Sequence, residues 1–276
     1  MKPIAEYPRY APRRPGRTAS VIVQLLLRAL DQARGGQVAC VQVGANDGAM
    51  ADPVLGFFTN RPWRGLLIEP HPAYFADLVK RHASRPHITC LNIGVSDVPG
   101  SMKLHFLAEA ARGRYPRWIR GCASLDRARM EEQLAAAVTD FGAKPEADDL
   151  EAVDIRLERL DQILAAQDVT RADLLVIDVE GHEAAVLASV DLGALDLSLV
   201  ICECNNDVTA TEPVIADRLS ACGMTVFRVG AEIIAIRPER LSIPMEDMLT
   251  WIGVQSLGSA ATSLEPLTEV SHHAKS

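Results

Sequence analysis

The sequence predicts an α/β fold in which helices cover both faces of a mostly parallel sheet. Three segments lead to this prediction, because each joins a strand-length apolar run to a polar turn and then to a helical pattern. They begin at Val38, Trp63 and Leu174. In a parallel sheet such junctions lie at the carboxyl ends of the strands, where ligands bind. We therefore expect a binding site where the three junctions meet.

The N-terminal part of the chain alternates helices and strands. Residues 1–17, rich in Pro and Arg, are predicted to form a flexible basic arm. The first helix has apolar residues at helical spacing and ends at Gly35–Gly36. Beyond it, short apolar runs bounded by Gly and Pro predict strands, and spaced apolar residues predict helices. In order, these elements are a helix at 19–34, a strand at 38–44, a helix at 53–60, a strand at 65–69, a helix at 72–82 and a strand at 88–95.

The C-terminal part returns to this alternation after an insertion over about 100–158. Residues 174–177 are an unbroken apolar run, which is typical of a strand covered on both faces. Gly230–Ala231 separates two strand-like runs and predicts a hairpin. One folded domain is expected over 18–254, followed by a disordered tail over 255–276. The elements predicted after the insertion are a strand at 174–177, a helix from 183, a strand at 197–203, a helix at 213–222 and strands at 224–229 and 232–237.

An insertion of about 100–158 separates the third and fourth core strands. It is predicted to hold an antiparallel strand at 102–107, a helix at 126–141 and a strand near 153–157. Four arginines lie between 112 and 120, interleaved with Tyr115 and Trp118. Because long insertions in compact domains are usually functional, we expect a lid over the substrate, the alternative being a solvated basic surface loop. The residues predicted to bind the substrate are Arg117, Trp118, Ser124 and Glu203.

The turn after the first core strand reads GANDG at 44–48. A dinucleotide fingerprint would need glycine at positions 44, 46 and 49, but the chain has Gly44, Asn46 and Ala49. The missing glycines argue against an NAD(P)-dependent oxidoreductase. They favour a ligand without a pyrophosphate, such as S-adenosylmethionine.

Glu69 ends the second core strand, 25 positions after Gly44. A carboxylate at this place can accept hydrogen bonds from both ribose hydroxyls of an adenosine. The spacing therefore predicts that Glu69 binds the cofactor, although an ordinary acid at a strand end is the alternative.

Four polar side chains follow the strand at 174–177, namely Asp178, Glu180, His182 and Glu183. His182 is the predicted general base, because imidazole titrates near neutral pH, and Glu180 or Glu183 is expected to orient it. Asp178, at the strand end, is expected to have a structural or acceptor-binding role. The alternative is a capped turn with solvated acids. The predicted catalytic residues are His182, Asp178 and Glu180.

No metal is predicted, because the cysteines and histidines are not spaced as metal ligands. The six cysteines are expected to be buried structural thiols. A divalent cation held by Asp178, Glu180 and Glu203 is the alternative, since hard cations prefer carboxylate ligands.

The order of these motifs resembles the FkbM family of S-adenosylmethionine-dependent methyltransferases from about residue 38 to 205. The resemblance implies a Rossmann-like class I methyltransferase fold and O-methylation of a sugar, polyketide or related secondary metabolite. One departure is Val176, where the family commonly has lysine. The motifs are VGANDG at 43–48, the pair Asp52–Pro53, WRGLLIEP at 63–70, NIGVSD at 92–97, RLDQIL at 159–164 and LLVIDVEGHE at 174–183. The predicted cofactor-binding residues are Gly44, Asn46, Asp47, Gly48, Glu69, Asn92, Ser96 and Asp178.

The composition of the chain indicates which classes of partner it can bind. The chain has 276 residues and a net charge of −8, which disfavours extended binding to nucleic acid. No run approaches the roughly 20 apolar residues of a membrane span, and the N-terminus lacks the apolar core of a secretory signal. We expect a cytoplasmic protein that acts on a small-molecule or glycan acceptor, without nucleic-acid or membrane partners. The oligomeric state is open, with a homodimer as one option.

A second function class stays open, in which the chain binds an adenosine ligand as a sensor or partner subunit and is catalytically silent. The presence of Asp178, Glu180 and His182 together argues against it.

Overall fold

The computed structural model describes residues 15–142, 144–146, 148–204 and 211–241, all within one compact unit. Most of the predicted basic arm and the whole predicted tail lie outside these residues.

Strands form at or within one or two residues of most predicted places, with one exception given below. In chain order they are β1 (Ala39–Val43), β2 (Arg64–Ile68), β3 (Ile88–Leu91), β4 (Gly94–Val95), β5 (Gly100–Leu107), β6 (Ala123–Ser124), β7 (Leu150–Glu158), β8 (Leu174–Ile177), β9 (Leu199–Glu203), β10 (Thr225–Val229) and β11 (Glu232–Ile236).

Seven α-helices lie among the described residues. They are α1 (Pro15–Ala33), α2 (Leu55–Asn60), α3 (Pro72–His82), α4 (Arg127–Phe141), α5 (Leu160–Ala166), α6 (Glu183–Ala188) and α7 (Thr211–Ala221). None of these described helices has the length and apolar character needed to cross a membrane.

The main sheet has the strand order β3-β2-β1-β8-β9-β11-β10. β8 lies at its centre, and the neighbouring β1 pairs in parallel with both β2 and β8. β11 runs antiparallel to β9 and to β10. The fold is therefore the expected Rossmann-like class I methyltransferase fold, with a mostly parallel sheet and a C-terminal antiparallel hairpin.

Side-chain alternation along the strands divides the core between the two faces of this sheet. One face carries Val41 and Ile177, which pack in a buried cluster with residues of α5, α6 and α7. The opposite face carries Leu67 and Val176, which pack with residues of α1, α2 and α3. Because helices cover both faces, every residue of β8 is buried.

The single strand predicted at 88–95 is wrong, because the structure divides it between two sheets. β3 stays in the main sheet, whereas β4 pairs in parallel with β7 in a second sheet. Between them, the side-chain Nδ2 of Asn92 donates to the backbone oxygens of Glu69 and Pro70, at 2.8 and 2.9 Å. The Asn92 side chain thus binds two carbonyl groups just beyond the end of the β2–β3 ladder. The chain then leaves the main sheet and enters the second sheet.

The insertion folds around this second sheet, whose order is β4-β7-β5-β6. β5 and β7 pair antiparallel from Gly100↔Leu157 to Leu107↔Leu150, which confirms both predicted strands. The arginine-rich segment forms two 3₁₀ helices, Glu109–Arg114 and Arg117–Gly121, instead of an open loop. They pack because the segment is not uniformly polar, since Tyr115 is buried and its hydroxyl donates to Asp149 at 2.6 Å. The role of the insertion as a mobile acceptor lid stays a prediction.

Candidate active site

A cavity of about 350 Å³ lies at the carboxyl ends of the central strands. On one side it is lined by residues that end strands of the main sheet or follow them directly, including Glu69, Asp178 and Glu203. On the other side it is lined by apolar residues of the second sheet, including Leu104 and Leu157. The polar groups of the first side therefore face a wall that lowers their access to water.

The turn after β1 packs directly against the end of β8. Gly44 has a φ of 82°, and a Cβ at this position would lie 1.7 Å from the backbone oxygen of Asp178. The N–H groups of Gly44 and Ala45 donate to the backbone oxygen of Ile68, at 2.9 and 3.0 Å. Only glycine can adopt this conformation so close to another backbone.

Asn46 joins this turn to two other parts of the site. Its backbone has a φ of 50°, which asparagine tolerates better than most residues. Its N–H donates to Glu69 Oε2 at 2.8 Å, and its side-chain Nδ2 donates to the Gly121 oxygen at 2.7 Å. The turn is thus tied both to the end of β2 and to the insertion.

Glu69 lies in the cavity wall with its side chain held from both sides. Its Oε1 accepts from the His71 N–H at 2.7 Å and its Oε2 from the Asn46 N–H at 2.8 Å. Burial raises the pKa of Glu69 to about 7, and the charge of Asp47 contributes to the rise. Each carboxylate oxygen can accept a second hydrogen bond, so Glu69 can still receive two hydroxyl donors.

Two other predicted cofactor residues of the turn lie behind the cavity wall. Asp47 Oδ1 accepts from the N–H groups of Ala49 and Met50, each at 2.8 Å. Gly48 has a φ of 69°, and a Cβ there would lie 2.7 Å from Leu78 Cδ1. The structure therefore gives Asp47 and Gly48 the role of shaping the turn.

His182 lines the cavity at the start of α6. Its Nε2 lies 3.0 Å from Ser96 Oγ. Ser96, predicted to bind cofactor, thus holds the imidazole, whereas Glu183 Oε1 accepts from the Gly181 N–H at 2.9 Å. Burial lowers the pKa of His182, so the ring is neutral at neutral pH and can accept a proton.

Asp178, Glu180 and Glu203 form a cluster, which we call the carboxylate triad. One carboxylate oxygen of each lies within 4.8 Å of those of the other two. Asp178 is exposed to the water of the cavity, although protein atoms surround its carboxyl group closely enough to desolvate it in part. Burial first, and then the charge of Glu203, raise the pKa values of Asp178 and Glu180.

The insertion contacts the carboxylate triad through residues that the sequence did not reveal. Gln133, on α4, donates from Nε2 to Glu180 Oε2 at 2.6 Å. Arg129, one turn earlier, places Nη2 3.8 Å from the same oxygen. No sequence signal connects positions 47 residues apart, because the contact depends on how the second sheet docks.

The four residues predicted to bind the acceptor are in different places. Trp118 and Glu203 line the cavity, whereas Arg117 is exposed and does not line it. Ser124 is buried outside the lining, where its hydroxyl donates to the Glu180 backbone oxygen at 2.8 Å. Ser124 therefore supports the turn after β8, since its hydroxyl is engaged there.

The protein family described as "Methyltransferase FkbM domain" matches residues 42–223. No curated protein sequence matches the chain.

Several solved structures are similar in part. Methyltransferase FkbM from Methylobacillus flagellatus KT shares 12% identity over 73% of this chain and 44% of its own, with a TM-score of 0.45. Aeropyrum pernix fibrillarin in complex with natively bound S-adenosyl-L-methionine shares 15% identity over 72% of this chain and 66% of its own, with a TM-score of 0.34. Precorrin-6y C5,15-methyltransferase from Geobacter metallireducens GS-15 shares 11% identity over 85% of this chain and 95% of its own, with a TM-score of 0.40. The chain thus spans less than half of the Methylobacillus protein.

Replacing Gly44 by alanine tests the contact between the turn and β8. Gly44→Ala should destabilise the fold by more than about 1–2 kcal/mol, the usual cost of a left-handed backbone for alanine, because a clash with Asp178 is added. Gly56→Ala is the matched control, since Gly56 is exposed in α2 and a Cβ there would have no neighbouring atom within 4 Å. It should stabilise the fold by about 0.5–1 kcal/mol. Urea unfolding followed by circular dichroism measures both, and a Gly44→Ala variant of native stability would contradict the described contact.

Proposed function

The chain belongs to the FkbM methyltransferase family, and on that basis we propose that it transfers a methyl group from S-adenosylmethionine to a hydroxyl of a sugar, polyketide or related secondary metabolite. The observation that carries the proposal is that Gly44, Glu69 and His182 line one cavity although they follow three different strands. That cavity combines a place for an adenosine with a neutral imidazole.

The residues of the cavity fit S-adenosylmethionine. Gly44 lines the cavity at the end of β1, and Glu69 can accept hydrogen bonds from two ribose hydroxyls. Gln42 also lines the cavity, and its buried Oε1 has no hydrogen-bond partner among the described residues. When bound, the cofactor supplies a methyl group on a positively charged sulfur that is activated for transfer.

The chain's own residues then have three tasks in the transfer. His182 accepts the proton of the acceptor hydroxyl, while Ser96 fixes the direction of the ring. Asp178 and Glu203, both in the lining, hold the acceptor so that its oxygen points at the methyl group. The apolar residues of the second sheet exclude water, which would otherwise compete for the same groups.

Trp118 is proposed as a further acceptor contact, because it lines the cavity with a partly exposed ring. Aromatic faces pack well on sugars and other flat apolar groups. A small-molecule or glycan acceptor therefore remains the proposed substrate class. The expected cytoplasmic location, the expected lack of nucleic-acid and membrane partners, and the homodimer stay predictions.

Calorimetric titration with S-adenosylmethionine and with NAD tests the cofactor. We expect saturable binding of S-adenosylmethionine and none of NAD. An acceptor screen scored by release of S-adenosylhomocysteine then tests catalysis. Binding of NAD alone would overturn the proposal. Binding of S-adenosylmethionine without release of S-adenosylhomocysteine in the presence of any hydroxylated acceptor would favour the catalytically silent sensor.

The affinity for S-adenosylmethionine should depend on pH through Glu69. Hydroxyl donors favour the charged carboxylate, and the unliganded pKa is about 7, so affinity should fall by up to about tenfold per pH unit below 7 and level off above it. Glu69→Gln should weaken binding by about 1–3 kcal/mol and remove this dependence. Glu109→Gln, an exposed acid in the insertion, should keep the native profile. An unchanged slope in Glu69→Gln would remove Glu69 from the site.

Turnover should depend on His182 as the general base. His182→Ala should lower kcat by about 10²- to 10⁴-fold with the affinity for S-adenosylmethionine within a few-fold of native, since the ring acts on the acceptor. His87→Ala is the control, because this half-buried histidine directly precedes β3. It therefore lies at the amino end of that strand, whereas the cavity lies at the carboxyl ends of the central strands. Steady-state kinetics with an acceptor from the screen measures both, and full turnover by His182→Ala would exclude the imidazole as the base.

A further inference from the structure

The carboxylate triad has the dimensions of a cation site. Its three oxygens lie within 4.8 Å of one another. Oxygens on opposite sides of one ion are about 4.1 Å apart for magnesium and about 4.6–5.2 Å apart for calcium, twice the usual metal–oxygen distance. These are the largest separations that two ligands of one ion can have, so the 4.8 Å limit admits an ion of calcium size in contact with Asp178, Glu180 and Glu203.

Gln133 is a second and independent indication of a ligand. Its side chain is only 5% exposed, and its Nε2 donates to Glu180 Oε2 at 2.6 Å. Its Oε1 has no hydrogen-bond partner among the described residues, although Gln133 lines the cavity beside the triad. A buried amide oxygen without a partner is unfavourable, and amide oxygens are ligands that hard cations accept.

From these observations we propose that a divalent cation binds between Asp178, Glu180 and Glu203, with the side-chain oxygen of Gln133 as a neutral ligand. From the sequence alone, acid–base chemistry without a metal is favoured, and a cation at these three carboxylates is the alternative. Gln133 makes the difference, because it comes from the insertion and could not be placed beside Glu180 from the sequence.

The charges around the triad agree with a divalent ion. Arg129 approaches Glu180 Oε2 at 3.8 Å but also lies 3.7 Å from Glu132 Oε2, so its charge is shared. Glu232, opposite Glu203 in the β9–β11 ladder, adds a further carboxylate. The acidic side chains outnumber the Arg129 guanidinium, so the group is rich in carboxylate oxygens that a cation can use as ligands.

A substrate ammonium group is the competing occupant. An ammonium carries one positive charge, whereas the triad offers three carboxylates and the Gln133 oxygen offers a fourth acceptor. A divalent ion balances more of this charge within the same volume. If the proposed function holds, the ion would also bind the acceptor oxygen next to His182 and favour loss of its proton.

Titration of the full chain with Mn²⁺ alone, followed by electron paramagnetic resonance of the free ion, tests the site. We expect one saturable site that Mg²⁺ or Ca²⁺ empties by competition. Asp178→Asn and Glu203→Gln should each lower Mn²⁺ affinity by about tenfold or more, and Gln133→Leu by about tenfold. Glu131→Gln is the matched control, because Glu131 lies on the same helix as Gln133 but is exposed. It should bind Mn²⁺ with native affinity.

Thermal melting without Mn²⁺ separates loss of the site from loss of the fold. Asp178→Asn and Glu203→Gln should melt no lower than the native chain, because each removes one of several like charges that repel one another. No saturable Mn²⁺ binding at millimolar concentration, or equal affinity in the triad variants and the native chain, would overturn the proposal.

Calorimetry with S-adenosylmethionine on the same samples distinguishes this proposal from the proposed function. Cofactor binding without Mn²⁺ binding overturns the cation site alone. Mn²⁺ binding that depends on the triad, without cofactor binding, supports the cation site and overturns the proposed function. Binding of methylammonium in place of Mn²⁺ would assign the triad to an amine and overturn the cation site.

Discussion

The backbone contact between Gly44 and Asp178 is the constraint on which the rest of the site depends. It places the turn after β1 against the end of β8, with no side chain between them. The same turn directs the Asn46 N–H to Glu69, which brings the end of β2 into register with the other two strands. Three segments far apart in the sequence thus share one cavity because one residue lacks a Cβ. The parallel ladders alone would align the strands but would leave the turn free to adopt other paths.

Burial is the second physical cause that shapes the site, and it acts on acids and bases in opposite directions. Removing water disfavours the charged form of any group, which raises the pKa of Glu69 and lowers that of His182. The apolar side of the second sheet therefore affects the electrostatics of the cavity, although Leu104 and Leu157 contribute no polar atom. It keeps the imidazole neutral and leaves the Glu69 carboxyl sensitive to a ligand that offers hydrogen bonds.

Much of this arrangement could be predicted from the sequence, and the parts that could not share a cause. Glu69 and Asp178 were predicted because the carboxyl ends of parallel strands meet at one edge, whatever the details of packing. The partnership of His182 with Ser96 was not, because it depends on where β4 leaves the main sheet after Asn92. Gln133 was missed for the same reason. Periodicity describes each element by itself, whereas these contacts arise from how the second sheet docks on the first.

The insertion has a buried core of its own, built from residues such as Leu107, Ile119 and Met130. It meets the turn after β8 through few groups, among them the hydroxyl of Ser124 and the amide of Gln133. Such an arrangement allows the sequence of the insertion and the sequence of the main sheet to change independently. The apolar wall of the cavity and the core behind it can change in sequence while the strand ends of the main sheet stay unchanged. Such a change requires that each new wall keeps a partner for Glu180.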